Sequence, residues 1–227
     1  DVGVEGKATD RDSLFSEFIP LTDYRSQNGF GGVYDREPQK TENSYHLFEA
    51  GGRKWLVLAI EFAPRDDVLR WGNDVVARHP DRSVIVLTHA YLRADGTRFD
   101  RNVPTPGAKR PNKGFDHYPL SKSKEGFNDG EDVWKKLVSQ HANIVLVLSG
   151  HVCTSAHLVS RGVKGNTVHQ VLVDYQDAEQ GGNGWLRLLQ VLPDGKTVRV
   201  RDYTPLLDET SQVPECTFEF ELPPPLR

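Results

Sequence analysis

N-I-V-L-V-L-S-G-H-V-C, residues 143–153, is the stretch on which the reading of this chain turns. From Ile144 to Ser149 it is almost wholly apolar, rich in β-branched residues and free of proline, the pattern of a strand buried on both faces. It ends on Ser149-Gly150, and His151 follows at once. In an α/β sheet the carboxyl ends of buried strands are where ligand chemistry collects. A glycine there lets the backbone bend close to an ion or substrate. Residues 82–92, R-S-V-I-V-L-T-H-A-Y-L, repeat the plan: Val84–Leu87 is a buried run, then come Thr88 and His89. Singly, each histidine reads as a satisfied turn residue. Two strands delivering one each to the same edge predict a metal site with His89 and His151 as ligands.

Working outward, residues 43–49 and 54–60 predict a hairpin around Ala50-Gly51-Gly52, its first strand half exposed and its second buried. Pro64, followed by Asp66 and Asp67, opens an amphipathic helix to about Arg78, with Val68, Leu69, Trp71, Val75 and Val76 inward. Strand, helix and strand of this length predict a parallel βαβ crossover. Residues 93–128 form a long insertion rich in Pro, Gly, Lys and Arg, either a functional lid or a surface flap. A second helix is expected over residues 131–141. Beyond Cys153 the pattern changes to strands without helices, at 157–160, 167–174, 185–192, 197–203 and 216–222, which predict a largely antiparallel sheet. Leu14, Phe15, Phe18 and Ile19 predict one or two helical turns before Pro20. Gly29-Phe30-Gly31-Gly32 reads as a loop or tight turn, and lacks the lysine-serine/threonine ending of a phosphate loop. The tail Pro223-Pro224-Pro225 reads as an extended end. The expected layout is one partial domain over 1–222, an insertion at 93–128 and a proline-rich tail at 223–227.

Composition narrows the class. The 227 residues are long enough to bury a full core. With 28 basic and 32 acidic residues the net charge is −4, which gives no nucleic-acid signature. No run approaches the ~20 apolar residues of a membrane span. Cys153 and Cys216 neither demand nor exclude a disulfide. The chain contains no methionine and opens on Asp1, so it is expected to be a piece of a longer protein.

A two-metal hydrolytic site needs imidazoles and carboxylates at strand ends, around ions about 3.5–4 Å apart. His89 and His151 meet part of that need; three or four protein ligands per ion are usual. Glu61 and Asp174, each close to a strand end, are distant candidates against a plainer surface or hydrogen-bonding role. Cys153 is a doubtful thiolate ligand against a small buried residue. His157 and His169 fall inside strands and read as structural, while His46, His79, His117 and His141 sit in exposed-looking contexts. A serine or cysteine hydrolase is set aside: there is no G-x-S-x-G elbow, and Cys153 stands too close to His151 in sequence for a nucleophile–base pair.

T-H-A-Y-L at 88–92 and S-G-H-V at 149–152 together resemble the calcineurin-like metallophosphoesterases. W-L-V-L-A-I-E-F-A-P-R-D-D-V-L at 55–69, H-P-D-R-S-V-I-V-L-T-H at 79–89, G-N-T-V-H-Q-V-L-V-D-Y-Q at 165–176 and G-G-N-G-W-L-R at 181–187 extend the likeness to bacterial members, over most of 43–204. The resemblance implies an α/β fold, a β-sandwich flanked by helices and here incomplete. That family carries D-x-H, G-D-x-x-D, G-N-H-D/E, a lone His and G-H-x-H in order. His89 is similar to the lone His and His151 to the first His of G-H-x-H, both on one metal, while Cys153 takes the place of the second. The first three motifs are absent, and Asp1 fits the last residue of a G-N-H-D motif cut just upstream.

The implied function is hydrolysis of a phosphate mono- or diester by a metal-bound hydroxide at a two-metal site, with two divalent ions (Mn, Fe or Zn) in the complete protein. This chain would carry only the C-terminal ligands, lack the general-acid histidine and be nearly inactive alone. The partner is a phosphate-ester small molecule or phosphorylated substrate, and Arg98, Arg101, Lys109 and Arg110 are basic residues that would meet a phosphate or stay solvated. Bacterial relatives imply a secreted or periplasmic setting, which the residues leave open. The rival class is a degenerate, non-catalytic binding module, which the Cys153 replacement and the insertion favour.

Overall fold

The computed structural model describes Arg11, residues 14–103 and residues 123–225. A seven-stranded mixed sheet has the order β1-β2-β3-β4-β5-β7-β6. Its strands are β1 (Phe30–Val33), β2 (Ser44–Ala50), β3 (Arg53–Ala59), β4 (Ser83–Leu87), β5 (Ile144–Ser149), β6 (Ser155–Arg161) and β7 (Thr167–Val173). The pairs β3/β4, β4/β5 and β5/β7 are parallel, while β1/β2, β2/β3 and β6/β7 are antiparallel. A smaller antiparallel sheet holds β8 (Leu186–Val191), β9 (Thr197–Thr204), β10 (Glu209–Thr210) and β11 (Thr217–Glu221), with β9 at its centre.

Helix packing covers one face of the large sheet. The helix α2 (Asp66–Arg78) buries Val68, Leu69, Trp71, Val75 and Val76, the stripe its periodicity predicts. With α3 (Gly130–Lys136) it closes over Leu56, Leu58, Val84, Val86, Ile144 and Val147. Each such fully buried aliphatic side chain contributes about 1.5–3 kcal/mol relative to exposure. On the opposite face, Trp55, Val145, Leu146 and Val171 meet Val198, Val200, Phe220 and Leu222 of the smaller sheet. The run Ile144–Leu148 is continuously apolar because both faces of its strand are covered. The architecture is therefore α/β: a large mixed sheet flanked by helices on one side and a small sheet on the other. Among the described residues no helix is long and apolar enough to cross a membrane.

Several expectations are corrected. Of the glycine-rich stretch at 29–32 only Gly29 is in a turn, and residues 30–32 are strand, not loop: β1 lies so close to β2 that a Cβ at Gly31 would stand 2.2 Å from the Tyr45 ring. Glycine here is a packing requirement, which propensity reads as a turn. The strands beyond Cys153 do not form one antiparallel sheet, because β6 and β7 join the large sheet and β7 runs parallel to β5. The expected helix over 131–141 ends at Lys136, and Val138–Gln140 tightens into a 3-10 turn. Helix α2 begins at Asp66, two residues after Pro64, with Asp66 and Asp67 in its first turn as expected. Phe15–Phe18 makes a single helical turn, α1. Pro223 does not simply leave the fold: its carbonyl accepts from Nη2 of Arg53 at 2.8 Å. Cys153 and Cys216 are both free thiols.

The described part of the insertion is anchored to the core. Arg98 donates to Glu131, Ser160 and Gln170 and its guanidinium lies over the Trp134 ring, so it is tied into the fold and mostly covered. Arg101 lies over Phe127 and pairs with Asp129 and Asp132. The expectations for Asp1, Lys109, Arg110 and His117 fall outside the described residues.

Candidate metal centre

The parallel pairing of β3, β4 and β5 continues one or two residues past the strands. Ile60 N donates to Leu87 O at 2.9 Å, Thr88 N to Leu148 O at 3.1 Å, and Gly150 N to His89 O at 2.9 Å. This zipper carries His89 and His151 to one edge and brings their rings together. Nε2 of His89 lies 2.9 Å from Nδ1 of His151. The sharp bend expected at Gly150 falls one residue later: a Cβ on Gly150 would make ordinary contacts, whereas His151 itself has φ 73°. A left-handed backbone at a non-glycine residue is strained, and such strain clusters at functional positions.

An aromatic floor supports the pair. The Phe62 ring meets His89 edge-on at 5.3 Å and His151 at 5.8 Å, and Phe99 lies 6.4 Å from His151. Arg11 holds that floor from below, its two terminal nitrogens donating to the carbonyls of Phe62 at 2.7 Å and Ala63 at 2.9 Å. Loss of hydration lowers the pKa of His89, and Asp174 opposes that shift. At neutral pH the His89 imidazole is therefore uncharged, the state a metal ligand needs.

The facing nitrogens fit two ligands of one ion. With metal–nitrogen bonds of about 2.0–2.1 Å, cis ligands near 90° place their nitrogens about 2.9 Å apart. The described residues do not complete such a ligand set: among them no three His, Cys, Asp or Glu side chains converge. Cys153 is exposed, and Asp177 is the main cause of its raised pKa. Asp174 is half-buried and its Oδ1 accepts from Gln176 N at 2.8 Å.

Glu61 is a buried structural partner, not a surface carboxylate. It accepts from Nε and Nη2 of Arg65, both at 2.9 Å, and from Asn43 Nδ2, also at 2.9 Å. Burial pushes its pKa up, but Arg65, Arg11 and Asn43 outweigh that and hold it below the usual range. His46, His79 and His141 are half-buried, not exposed; His46 and His79 pack against aromatic rings, and His141 bonds Asn73 at 2.7 Å.

Two features escaped the sequence. His157 and His169 stack in a second imidazole pair, Nε2 to Nδ1 at 3.1 Å, sandwiched by Phe218 and Phe220; their cross-strand pairing two residues out of register hid them. A cavity of about 420 Å³ also opens beside the histidine edge, between the segment carrying Phe15, Tyr24 and Phe30 and the ends of β3 and β4. The aromatic residues scattered through 15–30 were its only trace.

The geometry defines an α/β protein with a histidine pair at the carboxyl edge of adjacent parallel strands. No family model matches the chain. It is similar to the uncharacterized protein YvnB of Bacillus subtilis (strain 168), with 28% identity over 210 residues, 90% of this chain. The chain spans 14% of the length of that relative.

Proposed function

We propose that this chain is part of a calcineurin-like metallophosphoesterase, contributing His89 and His151 to one ion of a two-metal centre that cleaves a phosphate mono- or diester. The observation that carries the reading is the 2.9 Å approach of the two imidazole nitrogens across β4 and β5. The mixed sheet, helix-covered on one face and sheet-covered on the other, supports it.

Divalent ions bound there supply charge neutralisation for phosphoryl oxygens and an acidified water. The chain's own residues do the positioning. The zipper between Gly150 N and His89 O sets the ring separation, and Phe62 and Phe99 restrict ring rotation. Burial lowers the His89 pKa and so favours the neutral ring at neutral pH. The general acid and the remaining ligands belong to segments outside the described residues.

The test is zinc titration of the 227-residue chain, followed through histidine ring NMR signals. Saturable shifts at His89 and His151, lost in His89→Ala and in His151→Ala, are expected. Shifts confined to other histidines sink the assignment. The chain alone is expected to turn over a bis-aryl phosphate only at trace rate with Mn; an ordinary enzymatic rate overturns the reading that the chemistry needs further ligands.

A non-catalytic binding module is the second reading. Cys153 favours it, because it stands in place of the second histidine of the family's G-H-x-H motif. Full metal ligands in the longer protein would exclude this reading.

A further inference from the structure

The second imidazole pair lies where the two sheets meet. His157 on β6 and His169 on β7 belong to the large sheet, and Phe218 and Phe220 on β11 to the small one. The four rings form one block across the seam. His157 stacks on Phe218 with ring centres 4.8 Å apart, His169 stacks on Phe220 at 4.1 Å, and the two imidazoles have centres 5.3 Å apart. Among the described residues β11 is an edge strand that pairs only with β9. The rest of its hold comes from the face it turns to the large sheet.

The hydrogen bonds fix where the protons sit. Nε2 of His169 lies 3.1 Å from the carbonyl of Glu221, which can only accept, so that nitrogen carries the hydrogen. In the neutral ring Nδ1 of His169 is then an acceptor, and Nε2 of His157, 3.1 Å away, is its donor. A proton added to His169 must go to Nδ1, where it faces the N–H of His157 and breaks their bond. A proton added to His157 goes to its Nδ1.

The neighbouring charges do little to offset an added one. Arg187 of β8 lies over Phe218 and is itself paired with Asp202 of β9. Glu215 of the turn Pro214–Cys216 and Glu219 of β11 border an open recess with His157, and Glu219 is paired with Arg199 of β9. The Glu221 carboxylate of β11 is paired with Lys196, and β5 sets an apolar Leu146 opposite His169. Among the described residues no carboxylate bonds either imidazole. Loss of hydration is the first cause that lowers both pKa values, that of His157 to about 4.

We propose that His157 and His169 form an acid-released clasp that holds β11 against the large sheet. When β11 lifts away, both rings meet water and titrate near the ordinary value of about 6.5. Below that pH the open form binds protons that the closed form refuses, so acid favours opening by up to ~10-fold per pH unit for each proton taken up. Above it both rings are neutral in either form and the clasp is fully shut. The inference goes beyond the reading above and holds whether or not an ion binds at His89 and His151.

The test is amide hydrogen exchange of the 227-residue chain, read as protection factors at about pH 6.5 and about pH 4.5. Protection across β11 is expected to fall at least ~10-fold, while that of α2 falls less. His157→Gln, at an exposed position, keeps a donor for His169 but takes up no proton, and is expected to remove most of the fall. Parallel loss in β11 and α2, unchanged protection of β11, or the same fall in His157→Gln overturns the proposal.

Discussion

Arg187 and Asp202 form a buried fork across β8 and β9 of the small sheet, and Arg187 reaches from it to the large sheet. Nε and Nη2 of Arg187 reach Oδ1 and Oδ2 of Asp202, both at 2.6 Å, with the side chains 3% and 0% exposed. The same guanidinium donates to Leu172 O on β7 at 3.2 Å and to Ser155 Oγ on β6 at 2.9 Å. Tyr175 donates its hydroxyl to Asp202, and burial followed by that carboxylate pushes the Tyr175 pKa well above its ordinary value. A residue of the small sheet thus satisfies polar groups of the large one.

Arg187→Ala leaves Asp202 buried without its cation, and breaking a buried pair on one side destabilises by about 3–5 kcal/mol. Arg187→Lys loses the planar fork and is expected to recover only part of that. Urea denaturation of the three proteins checks both; a loss below ~1 kcal/mol for Arg187→Ala would show that the seam relies on apolar contacts alone.

Strain at His151 sets stability against the site. Its φ of 73° suits glycine better than any residue with a Cβ. His151→Gly is expected to match the parent or gain up to ~1 kcal/mol in stability, while losing the zinc response. A clear fall in stability would mean that the ring's contacts with Phe62 and Phe99 outweigh the backbone strain.

Stability is expected to fall on mild acidification. Burial is the first cause of lowered pKa values at His46, His79, His89, His141, His157 and His169, and His157 sits at about 4. Because the folded values lie below the unfolded value of about 6.5, the unfolded chain binds more protons in that interval. Stability is therefore full above about pH 6.5 and is lost as pH falls toward about 4. Denaturation midpoints between those limits test this, and His157→Gln is expected to flatten the slope. A midpoint independent of pH in that window would refute it.

Gly130 opens α3 against the backbone of the insertion. A Cβ there would stand 2.2 Å from Tyr91 O and 3.1 Å from Phe99 N, two atoms already joined by a 3.0 Å hydrogen bond. Gly130→Ala is expected to destabilise by about 1–3 kcal/mol, as overpacking does. At this chain length that lowers Tm by roughly 2–4 °C per kcal/mol. An unchanged Tm in a calorimetric scan would show that the segment yields without loss.

Local pattern carried the elements whose signal is local. The apolar run at 144–148, the stripe of α2 and the Ala50-Gly51-Gly52 turn all state their environment within a few residues. Strand β1 was illegible because its glycines answer to the Tyr45 ring on a neighbouring strand. The sheet membership of β7 was equally hidden, since an apolar strand reports that it is covered and not by what. At the site, His89 and His151 were legible as strand-end residues; their facing geometry was not, and neither were the His157–His169 pair and the cavity.

The sequence by itself determined which segments are strands buried on both faces, that a helix crosses between β3 and β4, and that two strand ends carry histidine. Those properties follow from side-chain chemistry over short windows. Tertiary structure alone decided that β4 and β5 lie side by side, that His151 takes a left-handed turn, and that the imidazoles meet at 2.9 Å. Strand order joins residues far apart in the chain, and it is settled by burying both sheet faces at once.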